Sequence, residues 1–205
     1  MIVLMAERDW NTWHDHYDTP GSSLARRLAV VREHVRLALD AGAERVVSLC
    51  AGQGRDLLPV LAAHPRRDRV RARLVELDED NARIAERAAP GGVEVVCGDA
   101  ALTDAYVGAV PADLVLACGI FGNVSDADVR RTVATLPRLC APGATVIWTR
   151  GRHAPDLLPA ICDWFEEDGF ERVSLDSDGR YGVGVHRYAG PPRPLEPGVR
   201  MFTFL

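Results

Sequence analysis

No apolar run in this sequence approaches the roughly 18 residues that a membrane span requires. The opening Met1-Ile2-Val3-Leu4-Met5-Ala6 is short and lacks the basic start of a signal peptide. We therefore expect a cytoplasmic protein with no membrane partner. Lysine is missing altogether: all 24 basic residues are arginines, which reads as a coding bias more than a functional device. Against 29 acidic residues they leave a net charge of -5, which supplies no general drive toward nucleic acid. Cysteine is sparse and scattered. Cys50, Cys97, Cys118, Cys140 and Cys162 are odd in number and contain no C-x-x-C pair, which favours reduced, buried thiols over a disulfide frame or a metal site. Internal repeats and interdomain linkers are also missing, so the 205 residues read as one domain with a sizeable core.

The apolar residues that are present fall into alternating periods. Leu24, Leu28, Val31, Val35 and Leu39 have the spacing of an amphipathic helix over residues 23–40. Strands are expected at 45–50, 71–77, 93–97, 113–118 and 144–149, with helices at 56–64, 80–89, 103–107, 126–139 and 155–168 between and after them. Nearly unbroken apolar strands such as Leu114-Val115-Leu116-Ala117 fit a parallel sheet covered on both faces. Residues 170–175, 183–188 and, less clearly marked, 200–204 lack intervening helices and should form an antiparallel edge. The densest basic stretch, residues 66–73, leads into the amino end of the second strand, opposite the edge where such sheets bind ligands. It is read as a solvated loop, with nucleic-acid contact as the minor alternative.

Each strand's carboxyl end is a candidate binding position. Strand one runs into Ser48-Leu49-Cys50-Ala51-Gly52-Gln53-Gly54-Arg55-Asp56, a tight turn in which bare backbone can approach a ligand. The plainer reading is a tight strand-to-helix turn with no ligand. A dinucleotide site calls for Gly or Ala three places after Gly54, so that helix and strand pack closely; Leu57 stands there and argues against a nicotinamide cofactor. Strand two ends in Glu76-Leu77-Asp78, strand three in Gly98-Asp99-Ala100, and strand four in Cys118-Gly119-Ile120-Phe121-Gly122-Asn123. A carboxylate at the second position can accept both hydroxyls of a ribose, and one at the third an exocyclic adenine amine.

Together, residues 47–55, 75–78, 98–100 and 113–118 resemble successive motifs of the class I S-adenosylmethionine-dependent methyltransferases, over roughly residues 45–150. The resemblance implies a Rossmann-like, doubly wound α/β fold with a mostly parallel seven-stranded sheet and an antiparallel C-terminal edge. It further implies an N-terminal lid and helix (1–42), a cofactor-binding core (43–150), and a C-terminal helix with antiparallel strands (151–205). S-adenosyl-L-methionine is the implied cofactor, bound by Tyr17, Ala51, Gly52, Gly54, Glu76, Leu77, Asp78, Gly98, Asp99, Ala100, Cys118 and Gly119. By register, Glu76 takes the ribose, while Asp78 is also placed to cap the following helix. Two positions depart from the family: Ser48 stands where an acid is common, and Cys50 replaces the first glycine. The Asn-Pro-Pro-Tyr pattern of many base and amide N-methylating members is also absent, which lowers the expectation of a nucleic-acid substrate.

Trp10-Asn11-Thr12-Trp13-His14-Asp15-His16-Tyr17 concentrates aromatics in an irregular segment. Similar methyltransferases fold such a segment over the pocket. His14 or His16 is the candidate general base and Trp13 an acceptor contact; the competing reading for each histidine is ordinary packing or surface. Their i, i+2 spacing does not establish a metal site. Asn123 either hydrogen-bonds a ligand or merely closes its turn. Phe121, Arg150, Arg152 and His153 complete the expected acceptor site, the arginines through paired N–H donors to an anion; alternatively an arginine pairs with Asp156. His186 and Tyr188 are read as packing. The expected reaction is methyl transfer to O or N of a small acceptor, with an anion among the candidates, by direct displacement. The alternative, motivated by Ser48 and Cys50, is a cofactor-binding regulatory module on the same fold.

Overall fold

A computed structural model of the chain describes residues 21–205. Helix α1 (Ser23–Asp40) begins where the Ser22 hydroxyl accepts the Ala25 N–H at 3.0 Å, satisfying one of the donors left open at a helix start. Its buried stripe includes Val31, Val35 and Leu39, the period expected from the sequence. There follow β1 (Arg45–Leu49), α2 (Leu58–Ala63), β2 (Arg71–Glu76), α3 (Glu79–Ala88), β3 (Val93–Cys97) and β4 (Ala112–Ala117). The chain continues through α4 (Asp126–Thr135), β5 (Cys140–Gly151), α5 (Leu158–Glu167), β6 (Phe170–Ser177) and β7 (Tyr181–Tyr188).

The seven strands form one sheet in the order β3-β2-β1-β4-β5-β7-β6. Pairings from β3 across to β5 are parallel, and β7 runs against both its neighbours. The order reverses between β1 and β4, which places a binding crevice outside the carboxyl ends of those strands. Two apolar layers bury the sheet. Val47, Leu49, Val115, Ala117, Val146 and Trp148 lie on one side with α4 and α5. Val46, Leu74, Leu114, Leu116 and Ile147 lie on the other with α1 and α2. Alternate residues of each strand thus face opposite layers, which explains the unbroken apolar runs.

Residues 200–204 do not extend the antiparallel edge, contrary to the sequence expectation. They make two isolated bridges, Arg200 to Leu102 and Phe204 to Val124, so this segment crosses the loops that follow β3 and β4. Met201 and Phe202 are buried there, and their burial accounts for the strand-like pattern. The helix expected over 126–139 gives way at Pro137 to a 3-10 turn, Leu136–Arg138, because proline lacks the N–H that an α-helix interior uses. The expected helix at 103–107 is likewise a 3-10 turn, Thr103–Tyr106. In the basic stretch, Arg66 pairs with Glu44 at 2.9 Å and Arg73 with Glu94 at 2.8 Å, so acids already take up part of its charge.

Candidate functional site

The turn after β1 adopts three left-handed positions at alternate residues, Cys50 (φ 49°), Gly52 (54°) and Gly54 (68°). Gly54 is dictated by packing: a Cβ there would lie 2.5 Å from Leu58 Cδ1 and 3.0 Å from Leu74 Cδ2. Cys50 is the only non-glycine residue with positive φ among those described, and it occupies the position where the resembled family has a glycine. Burial first, then the charges of Glu76 and Asp99, push its thiol pKa up, which keeps it neutral. Ser48 is buried, and its Oγ has no hydrogen-bond partner among the described residues.

Glu76, ending β2, is fixed by this turn. Its Oε2 accepts the Gly52 N–H at 2.6 Å and its Oε1 the Asp78 N–H at 2.9 Å. Each carboxylate oxygen has about two acceptor positions, so each retains one for a ligand hydroxyl. Burial raises the Glu76 pKa, opposed by those two N–H donors. Asp78 instead accepts the Asn81 N–H at 2.8 Å as the N-cap of α3, so its Oδ1 is committed to the helix. Leu77 projects into solvent, 68% exposed.

At the end of β3, Gly98 donates its N–H to the Glu76 carbonyl at 2.8 Å. The Asp99 Oδ1 accepts the Ala101 N–H at 2.9 Å, and its Oδ2 accepts from Arg200 Nη2 at 2.9 Å. The Ala100 carbonyl accepts the buried Tyr106 hydroxyl at 2.8 Å. After β4, Gly119 (φ 78°) donates its N–H to Thr149 Oγ1 at 2.8 Å, and none of the described atoms lies within 4 Å of the position a Cβ would take. That opening lets a ligand approach backbone directly. Cys118 is half-buried, with its thiol pKa pushed well up by burial.

The acceptor residues are placed unevenly. Asn123 donates through Nδ2 to the Gly119 carbonyl at 2.7 Å, closing its turn. Phe121, expected to touch the acceptor, is fully buried, its ring 5.8 Å from that of Trp148. Arg150 is buried and donates to the Phe121 carbonyl, with Asp126 3.7 Å away. Arg152 directs Nε and Nη2 to Asp156 Oδ2 at 2.9 and 2.7 Å, the pairing that the sequence offered as an alternative to anion binding. His153 is exposed. Trp13, His14, His16 and Tyr17 lie outside the described residues.

Two residues at this edge escaped the sequence reading. Arg200 lies 101 positions from Asp99, and no local pattern marks such a pair. Asp56, just after the glycine turn, has a buried Oδ1 with no hydrogen-bond partner among the described residues, and burial raises its pKa to about 6 against the pull of its own and Leu57's N–H groups. A carboxylate within a glycine-turn motif was visible; its burial was not.

No protein-family model and no curated protein matches the chain. Solved structures do. An O-methyltransferase family protein from Burkholderia thailandensis aligns with a TM-score of 0.68 at 19% identity, covering 89% of this chain and 61% of that one. Magnesium protoporphyrin IX methyltransferase from Synechocystis, with bound S-adenosylmethionine, gives 0.67 at 12%, covering 89% and 92%. The 1,6-didemethyltoxoflavin-N1-methyltransferase of B. thailandensis, with its substrate and S-adenosylhomocysteine, gives 0.64 at 16%, covering 88% and 87%. The chain thus spans about three-fifths of the first of these proteins and most of the other two. With its strand order and its reversed β7, the chain has the Rossmann-like fold of the class I S-adenosylmethionine-dependent methyltransferases.

Proposed function

We propose that the protein binds S-adenosyl-L-methionine and transfers its methyl group to an O or N atom of a small acceptor by direct displacement. The observation that carries this reading is the Glu76 carboxylate, held by Gly52 and Asp78 N–H groups at the end of β2, one strand from the switch point, with one acceptor position left on each oxygen. Glu76 would hold the ribose hydroxyls, Asp99 the adenine amine, and the Gly52 and Gly119 backbone the amino-acid part. When bound, the cofactor supplies a methyl on a cationic sulfur that is already an activated leaving group. What remains for the chain is to orient the acceptor, exclude water and take a proton.

We assign that proton to an imidazole nitrogen of His14 or His16, and the cover over the acceptor to Trp13 and Tyr17. The floor is the turn at residues 119–123 together with the 150–153 loop. An anionic acceptor would have to compete with Asp156 for Arg152 and with the Phe121 carbonyl for Arg150. A neutral acceptor avoids that competition. The test is to incubate purified protein with S-adenosylmethionine and fractionated cell metabolites, and to follow S-adenosylhomocysteine and methylated products by mass spectrometry. Product formation that depends on one fraction is expected; its absence across all fractions, with cofactor bound, would refute the transferase reading.

A further inference from the structure

The last residues of the chain form a strap over the ligand edge. Thr103 anchors its start, donating from Oγ1 to the Glu196 carbonyl at 2.6 Å and accepting the Val199 N–H at 3.0 Å. The Met201 N–H donates to the Ala101 carbonyl at 2.8 Å, and the Thr132 hydroxyl, whose proton is shared with the nearer Asp128 carbonyl at 2.7 Å, lies 3.2 Å from the Met201 carbonyl. Further on, the Thr203 N–H reaches Asp128 Oδ2 at 3.0 Å and the Leu205 N–H the Asn123 carbonyl at 3.0 Å. The strap thus joins the loop after β3 to the loop after β4, with Met201 and Phe202 buried beneath it. Bonds of this number fix its path to the backbone on both sides.

Within the strap, Arg200 turns its guanidinium back to Asp99. The two side chains are 47% and 38% exposed, and an ion pair that exposed adds little to fold stability. Its geometric effect is larger. Asp99 takes the Ala101 N–H on one oxygen and Arg200 on the other, so donors from two directions fix the plane of the carboxylate. Two acceptor positions remain on it. Without Arg200, a carboxylate this exposed would turn about its side-chain bonds between rotamers.

We infer that Arg200, carried across the ligand edge by the C-terminal strap, is a positioning residue that aims the Asp99 carboxylate at the exocyclic amine of adenine. The inference rests on the cofactor proposed above. It makes nucleobase selectivity depend on the chain's last few residues, outside the β1–β3 motifs that define the cofactor site in sequence.

Paired titrations with S-adenosylhomocysteine and S-inosylhomocysteine, which carries an oxygen in place of the amine, test it. Wild-type protein should prefer the adenosine compound by roughly tenfold or more, since the inosine oxygen would face a carboxylate. Arg200→Gln, uncharged and too short to reach Asp99 as the guanidinium does, should lose most of that preference, and Arg200→Lys should keep part of it. Asp99→Asn should lose the preference with arginine still present. Thermal unfolding without ligand checks that each variant is folded, and Arg200→Lys serves as the readable variant if Arg200→Gln is not. Equal weakening of both ligands in the Arg200 variants, with the ratio unchanged, would make Arg200 merely structural and overturn the inference. Equal wild-type affinity for both would overturn it while leaving the cofactor reading intact. Binding of neither by folded wild-type protein would overturn both.

Discussion

The Gly52 N–H donates to Glu76 Oε2 at 2.6 Å, tying the end of β2 to the turn that leaves β1. The contact sets the orientation of an acid that is proposed to hold the ribose, while Asp78, two residues on, serves α3 as its cap. Glu76→Ala should therefore weaken S-adenosylhomocysteine binding by about 1.5–3 kcal/mol. Asp78→Ala should instead lower fold stability by about 1 kcal/mol. Calorimetry and urea unfolding separate the two effects, and a larger binding loss from Asp78→Ala would reverse the assignment.

The turn's backbone supplies a second prediction. Gly54→Ala would drive a methyl to 2.5 Å from Leu58, itself buried beside Leu74, at φ 68°. Overpacking and left-handed strain together should cost ~1–3 kcal/mol. Cys50→Gly relieves strain at φ 49° while losing a small, half-buried thiol, so its stability should stay within about 1 kcal/mol of wild type. Chemical denaturation of the two variants checks the contrast; a Gly54→Ala protein as stable as wild type would contradict it.

Acid titration should resolve two groups of opposite sign. His186 Nδ1 accepts the Trp148 Nε1–H at 3.1 Å, its ring stacks 4.3 Å from Phe165, and its Nε2 is buried without a partner. Burial lowers its pKa to about 4, below an unfolded value of about 6.5. The unfolded chain then binds the proton first, and stability is lost as pH falls from about 6.5 to 4. Asp56 works in reverse: folding raises it to about 6 from about 3.9, so its contribution is full below about 4 and lost as pH rises through 6. His186→Gln, which keeps an acceptor for Trp148, should flatten the acid loss. Asp56→Asn should gain stability over wild type above pH 6 and little near pH 4. Unfolding free energies across that range read both, and parallel pH profiles for all three proteins would show that neither group titrates as described.

A proton-accepting histidine in the 10–17 segment predicts a different signature. His14→Ala or His16→Ala should lower kcat by about 10²-fold with cofactor affinity unchanged and the basic limb of the pH profile altered. Full activity in both variants would remove the base from this segment.

Where function follows local spacing, the sequence was readable. The 3.6-residue stripe predicted α1, and the strand ends placed Glu76 and Asp99 at one edge. Asp78 as a helix cap also followed from local chemistry, since a short acid before an amphipathic run satisfies open N–H groups. Long-range partners were not readable. The apolar pattern of residues 200–204 is the same whether its side chains cover a sheet edge or a loop crossing, and only the contacts of Met201 with Ala101 and of Leu205 with Asn123 distinguish the two. Arg152 carried two opposed readings because a fork that binds an anion binds Asp156 equally well. The burial of Phe121 depended on Trp148, a residue of another strand.

Titration calorimetry of the purified protein with S-adenosylmethionine and S-adenosylhomocysteine tests the central claim most directly. Saturable one-site binding of both is predicted, with each ligand at ~100 times its Kd stabilising the fold by about 2.7 kcal/mol and with Glu76→Ala weakening both. Well-folded protein that binds neither compound would contradict the account.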